Sequence, residues 1–252
     1  MTAARRLDRR RLLSAALGTA AVGPLLAGAR PDPDLVFARL RTGGAWDVRP
    51  DALRRLAWEV RQRTSIETAP EPVVLEPSDP RIFRFPLLYW GGAGAQPPLE
   101  DEAVRALRRH LTYGGSLIVD ASDAEPGGPF DRSVRAELER IFPRRPLERI
   151  PPDHVLFKTF YLVDGSAGRV QRVPFLEGVA LEDRYAVIYA QNDLAGAWSR
   201  DAFGRWTYEV SPGGERQREM AFRLGINLVM YVLCLDYKDD LVHAPFILDR
   251  RR

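Results

Sequence analysis

The chain has 252 residues, 45% of them hydrophobic and 28% charged, with a formal net charge of +3. That balance excludes a disordered chain and a membrane-spanning bundle, and a single cysteine, Cys234, excludes an internal disulfide. The positive excess sits at the start, where Arg5, Arg6, Arg9, Arg10 and Arg11 stand against Asp8 alone, so residues 30–252 carry a net charge of −1 and imply no nucleic-acid partner.

Asp8-Arg9-Arg10-Arg11-Leu12-Leu13 runs into the apolar stretch Ser14–Leu26 and the small residues Ala27-Gly28-Ala29. This is the pattern of a twin-arginine export signal over residues 1–29, read through Arg9 and Arg10. It predicts a periplasmic or otherwise exported protein whose partner during export is the twin-arginine translocase. The stretch is short and rich in Ala and Gly for a transmembrane anchor, although an uncleaved signal would still tether the protein, and the remainder, 30–252, reads as one α/β domain without a transmembrane segment.

Leu35–Leu40 alternates loosely as a strand and stops at Gly43-Gly44. A helix is expected from Pro50 or Asp51 to Arg63, with Leu53, Leu56, Ala57 and Val60 on one face. Val73–Leu75 and Phe85–Trp90 read as strands, the second ending at Gly91-Gly92. Leu99–Thr112 has acids first, arginines last and apolar residues at helical spacing, so a helix ends at Gly114-Gly115 and Ser116–Asp120 follows as a buried strand. Ser133–Phe142 predicts another helix, Val155–Val163, Phe175–Leu181 and Tyr185–Ala190 predict strands, and Arg216–Leu235 predicts a long packed helix that buries Cys234. Apolar strands alternating with amphipathic helices point to a mainly parallel sheet covered by helices on both faces.

Ligands of open α/β sheets gather where strands end at their carboxyl edge. The polar residues placed there are Gly91 and Gly92 with the Gly-rich turn after them, Asp120 with Ser122 and Asp123, and Asn192 with Asp193, while His154 lies in a Pro-rich loop able to approach them. A Gly-rich turn can present amides to an anion, and otherwise serves only to allow positive φ. Asp120 and Asp123 with His154 can supply acid–base chemistry or a divalent-cation site, and aspartates at strand ends equally cap the next turn or helix. Cys234, inside an apolar helix, has no nucleophile's setting, no Gly-x-Ser-x-Gly elbow occurs, and the histidines lack metal-ligand spacing.

The order Leu87-Leu88-Tyr89-Trp90-Gly91, the helix end Leu111-Thr112-Tyr113-Gly114-Gly115 and Leu117-Ile118-Val119-Asp120 resemble domain-of-unknown-function family 4159. Phe130–Ser133, Ile141-Phe142-Pro143, Pro152–Phe157, Tyr161, Gly178, Tyr185–Asp193 and Gly225-Ile226-Asn227 extend the likeness over about residues 35–235. The resemblance implies a flavodoxin-type fold related to class I glutamine amidotransferases and ThuA-like proteins, and brings no established activity or cofactor. The amidotransferases carry a nucleophilic cysteine where this chain has Gly91–Ala95, and ThuA-like members are linked to sugar metabolism. Longer members of the family carry membrane segments and occur beside MoxR-type ATPases and von Willebrand A-like proteins.

Three functions remain open at this point. One is a binding module for a small molecule or a protein, with a polar cleft of Asp120, Asp123, His154, Asn192 and Asp193. The second is a hydrolase or carbohydrate-active enzyme using the aspartates and His154, which requires those groups within about 10 Å of one another. The third is an assembly subunit with an exposed apolar patch to which Trp46, Trp198 and Trp206 contribute.

Overall fold

The computed structural model describes residues 33–249, with side chains through Cys234. The expected export signal, Arg9 and Arg10 included, lies outside the described residues. Seven strands form one sheet: β1 (Ala38–Leu40), β2 (Val73–Leu75), β3 (Leu87–Gly92), β4 (Ser116–Ala121), β5 (Glu148–Arg149), β6 (Glu177–Leu181) and β7 (Arg184–Ala190). Their spatial order is β2-β1-β3-β4-β7-β6-β5. The first five in that order run parallel, and β6 and β5 extend the sheet antiparallel. This is the mainly parallel α/β sheet that the alternation of apolar strands and helices predicts, in the flavodoxin-like arrangement that the resemblance implies.

The helices are α1 (Ala52–Arg63), α2 (Asp101–Thr112), α3 (Pro129–Ile141), α4 (Leu194–Trp198) and α5 (Gly214–Asp249). Helices α1, α4 and α5 bury their apolar sides on one face of the sheet against Phe37, Tyr89, Ile118 and Ile188. Helices α2 and α3 do so on the other against Leu88, Trp90, Val119 and Tyr189. Both faces of the central strands are therefore dry, which is why β3 and β4 read as unbroken buried runs. In α2 the acids Asp101 and Glu102 occupy the first turn and Arg109 and His110 the last, complementing the helix dipole, while Ala103, Val104, Leu107 and Leu111 are buried. Helix α3 starts four residues before the expected Ser133, because Pro129 takes its first position, where a missing N–H costs nothing.

Two expectations are corrected. Residues 155–163 do not form a strand; Val155–Lys158 make a 3-10 turn and an irregular segment follows. Asn227 of α5 is the reason: its Oδ1 accepts from the Phe160 and Tyr161 amides at 3.2 and 2.8 Å, and its Nδ2 donates to the Leu156 and Tyr161 carbonyls. One side chain thus satisfies backbone groups that a neighbouring strand would otherwise take. Cys234 is exposed, not packed, although Tyr231 and Val232 just before it are buried. Of the tryptophans, Trp198 is fully buried with its indole N–H donating to the Ala221 carbonyl, and Trp206 packs partly against the same core, so neither builds an exposed apolar patch. Among the described residues no helix is long and apolar enough to cross a membrane.

Candidate functional site at the carboxyl edge of the sheet

The strand order reverses between β1 and β3, and the crevice beyond such a reversal is where open α/β sheets usually take ligands. Here the loops after β1 and β3 fill it. Ala93 donates its amide to the Ala45 carbonyl at 3.1 Å, and the ring of Pro97 lies against Gly43 so closely that a Cβ there would come within 2.7 Å of it. The polar groups of this edge are gathered one strand further on, around the ends of β4 and β7, and are buried there.

Asp120, the fifth residue of β4, is fully buried and accepts three hydrogen bonds of 2.8 Å, from the amides of Leu194 and Ala195 and from the Tyr89 hydroxyl. Asp193 is equally buried, in a left-handed conformation with φ of 53° at the N-cap of α4, and accepts from the Gly196 amide at 3.0 Å. Two guanidiniums close on it: Arg49 donates through Nε and Nη2 at 3.1 and 2.7 Å, and Arg169 through Nε. The Tyr208 ring roofs the pair, its centroid 4.0 Å from the Arg49 guanidinium carbon. Burial and the neighbouring Asp193 charge push the Asp120 carboxyl up to about 6, against the pull of the two amides and Tyr89. Burial opposes the charge on Arg49, but the hydrogen bond and charge of Asp193 outweigh it and hold the guanidinium above its ordinary value.

Asn192 is spent as well. Its Oδ1 accepts from the amides of Arg172 and Val173 at 2.9 and 3.1 Å, and its Nδ2 donates to Ser166 Oγ and the Val173 carbonyl, which pins the segment 166–173 over the sheet edge. Gly91 and Gly92 are close-approach glycines, not an anion cradle. A Cβ on Gly91 would come within 2.8 Å of the Tyr89 ring, and one on Gly92 within 2.5 Å of the Phe130 ring.

His154 stands apart from these acids. Its Nδ1 accepts from the Leu156 amide at 3.3 Å, and its ring packs edge-on against Tyr185 and Tyr231 at 5.0 and 5.6 Å between centroids. Tyr185 is the second residue of β7, whereas Ala190, the register partner of Asp120, ends it. Five residues of extended strand are about 16 Å, so the imidazole belongs to the opposite edge of the sheet. The two aspartates of β4 separate too. Asp120 bonds toward the α4 side, while Asp123 accepts from Gly94 at 3.0 Å and acts electrostatically on Tyr189, on the α3 side. Among the described residues no three His, Cys, Asp or Glu side chains gather as a metal site.

On the α3 side a second chain of polar groups runs Asp131–Arg135–Glu177–Gln191. Arg135 Nε donates to Asp131 Oδ1 at 2.8 Å, Arg135 Nη2 pairs with Glu177 Oε2, and Gln191 Nε2 donates to the same oxygen at 2.6 Å. Three buried atoms of this group have no protein partner, Ser122 Oγ, Asp123 Oδ1 and Gln191 Oε1, while the Tyr189 hydroxyl faces the Asp131 carboxylate. Burial, then the carboxylate of Asp131, pushes the Tyr189 phenol well above its ordinary value, so it stays a neutral donor. Ser122 Oγ, Asp123 Oδ1 and Gln191 Oε1 are the unspent hydrogen-bonding capacity of the rim, and of these residues only Asp123 is a leading candidate in the sequence.

The residues that organise the rim, Arg49, Arg169, Tyr89 and Tyr208, carry no local signal. Arg49 meets Asp193 across 144 positions of sequence. The model of the family described as Domain of unknown function (DUF4159) matches residues 36–233. A comparison with curated proteins finds no match.

Proposed function

The chain belongs to the DUF4159 family, and from that premise we propose that it is an exported, non-catalytic binding module whose rim between β4 and β7 receives a small polar ligand or a polar group of a protein. One observation carries the reading. The acids that chemistry would need, Asp120 and Asp193, are fully buried and committed to amides and guanidiniums of the fold, while Ser122, Asp123 and Gln191 keep hydrogen-bonding atoms unused. A buried polar atom left unpaired costs about 1–3 kcal/mol, which a ligand that supplies its partner would recover.

The resemblance to amidotransferases supports architecture and not reaction. Where those proteins carry their cysteine this chain has Gly91–Ala95, which holds no nucleophilic side chain, and Tyr89 and Phe130 pack against the Cα atoms of Gly91 and Gly92. The hydrolase reading requires an acid and an imidazole within reach of each other, and His154 sits at the far edge. Export rests on Arg9-Arg10 and the apolar stretch behind them.

The test is a substrate panel of esters, amides, glycosides and phosphoesters run beside thermal-shift screening of small polar compounds. The expected result is stabilisation by one class of ligand, diminished in Gln191→Ala and Ser122→Ala, with no turnover. Turnover that persists through purification and disappears in a folded Asp120→Asn variant would overturn the proposal.

A further inference from the structure

A cavity of about 350 Å³ opens on the other side of α1, between the first half of that helix and the turn after α4. Asp51, Arg54, Arg55 and Trp58 line it from one helix face, at the spacing that brings side chains of successive turns together, and Arg200 and Asp201 close it. Three guanidiniums thus face two carboxylates.

The pairing within the walls shows which cation is in excess. Arg54 pairs with Asp51 and Glu71, and Arg55 with Glu59. Asp201 pairs with Arg205 and accepts the Phe203 and Arg205 amides. Arg200 has only the Gly204 carbonyl at 3.0 Å and the face of Trp206, 3.9 Å from its guanidinium carbon, with no carboxylate in ion-pair range among the described residues. The Nε atoms of Arg55 and Arg200 are both buried without an acceptor. Burial, and the charge of Arg200 set against the help from Glu59, hold Arg55 below its ordinary value, as expected where one positive charge lacks its counterion.

The remaining wall is Trp58, half exposed, with the Arg55 guanidinium 4.1 Å from its ring centroid. An indole face fixed by a stacked guanidinium is a platform for a flat apolar surface. Asp51 and Asp201 add acceptors that suit hydroxyl donors, and their charges disfavour a dianion such as phosphate. We propose that this pocket binds a uronic acid, with the carboxylate on Arg200, the C–H face of the pyranose on Trp58 and hydroxyls on the two aspartates. The cavity is at the small end of ligand sites, so it takes one or two sugar units. The inference is independent of the rim between β4 and β7, and holds whether or not that rim binds a ligand.

Titration calorimetry with glucuronate, trigalacturonate, glucose, phosphate and benzoate tests it. Saturable binding of glucuronate or trigalacturonate is expected, at least tenfold tighter than glucose, phosphate or benzoate. Tighter binding of trigalacturonate than of galacturonate, titrated beside it, assigns the end of an acidic polysaccharide as the source, and equal binding assigns the free sugar. Arg200→Gln and, separately, Trp58→Leu, which alters an exposed ring, are each expected to weaken binding at least tenfold with unchanged melting temperatures. Absence of saturable binding, undiminished affinity in both folded variants, or preference for phosphate or benzoate would overturn the proposal.

Discussion

Asp120 and Asp193 cap the same five-residue helix: Asp120 takes the amides of Leu194 and Ala195, and Asp193 that of Gly196. So short a helix has no stability of its own. It exists because two buried carboxylates from different strand ends bind its amino end, and those carboxylates are tolerated because Arg49 and Arg169 neutralise one of them. Aspartates that look available for chemistry are therefore the interior supports of the β7–α4 connection.

Removing one side of that arrangement leaves a buried charge unpaired. Asp193→Asn is expected to destabilise by about 3–5 kcal/mol, because Arg49 and Arg169 lose their shared counterion. Combining it with Arg49→Met is expected to cost less than the sum of the single changes by about 1 kcal/mol or more, as for residues in direct contact. Urea unfolding of the four proteins of the cycle measures both values, and additive effects would refute the coupling.

The acid range separates two buried groups of opposite sign. Asp120 is raised to about 6 in the folded protein from an ordinary 3.8, so the fold holds more protons than the unfolded chain between those values, and stability from this group is lost as pH rises from about 4 to about 6. His110, buried in α2 with no partner for Nε2, is lowered from 6.5 to about 4 by burial and by Arg184. Its contribution is present above about 6.5 and is lost as pH falls toward 4. The two slopes oppose each other. Relative to the parent, Asp120→Asn is expected to gain stability as pH rises from 4 to 6, and His110→Leu to gain it as pH falls over the same range, each by at most about 1.4 kcal/mol per pH unit. Denaturant midpoints from pH 4 to 7 read this directly, and parallel profiles for all three proteins would contradict it.

How far the sequence reaches depends on the range of the interaction concerned. Helix α2 is legible because its dipole-matched charges and its apolar face, Ala103, Val104, Leu107 and Leu111, lie within one helix length. The parallel sheet is legible because strands covered on both faces must be apolar throughout. The segment 155–163 has a strand's composition, yet Asn227, more than sixty residues away, supplies the hydrogen bonds that decide its shape. The rim follows the same rule: Asp120, Asp193 and Asn192 are identifiable as polar strand-end residues, but whether they face a ligand or the interior is set by Arg49, Arg169 and the loop 166–173. His154 is placed by its contacts with Tyr185 and Tyr231, which no local pattern encodes.

The close packing at Gly92 yields a test of the sealed turn after β3. A methyl group there would lie 2.5 Å from Phe130 Cε2 and 3.3 Å from the Ala45 carbonyl oxygen, so Gly92→Ala is expected to cost about 1–3 kcal/mol through overpacking. Trimming the ring in Gly92→Ala/Phe130→Leu is expected to recover part of that loss, although Phe130→Leu alone destabilises. Gly94 is different: nothing lies near its missing Cβ, but its φ of 65° penalises a side chain, so Gly94→Ala is expected to cost about 1–2 kcal/mol and Gly94→Asn less. Thermal unfolding distinguishes the two causes, since only the Gly92 effect depends on the residue at position 130.

Export is testable without any knowledge of the ligand. The export route proposed from Arg9 and Arg10 is one that reads paired guanidiniums and carries folded cargo, so a change that preserves charge but removes the planar forks, Arg9→Lys with Arg10→Lys, is expected to strand the protein in the cytoplasm with its leader uncleaved. Fractionation and the mass of the amino terminus report the outcome. The same double change leaves residues 33–249 untouched, so the stranded protein is expected to unfold at the parent's denaturant midpoint, which separates a defect of address from a defect of folding. Normal export of the double variant would refute the twin-arginine route and leave the fold and the two binding proposals unaffected.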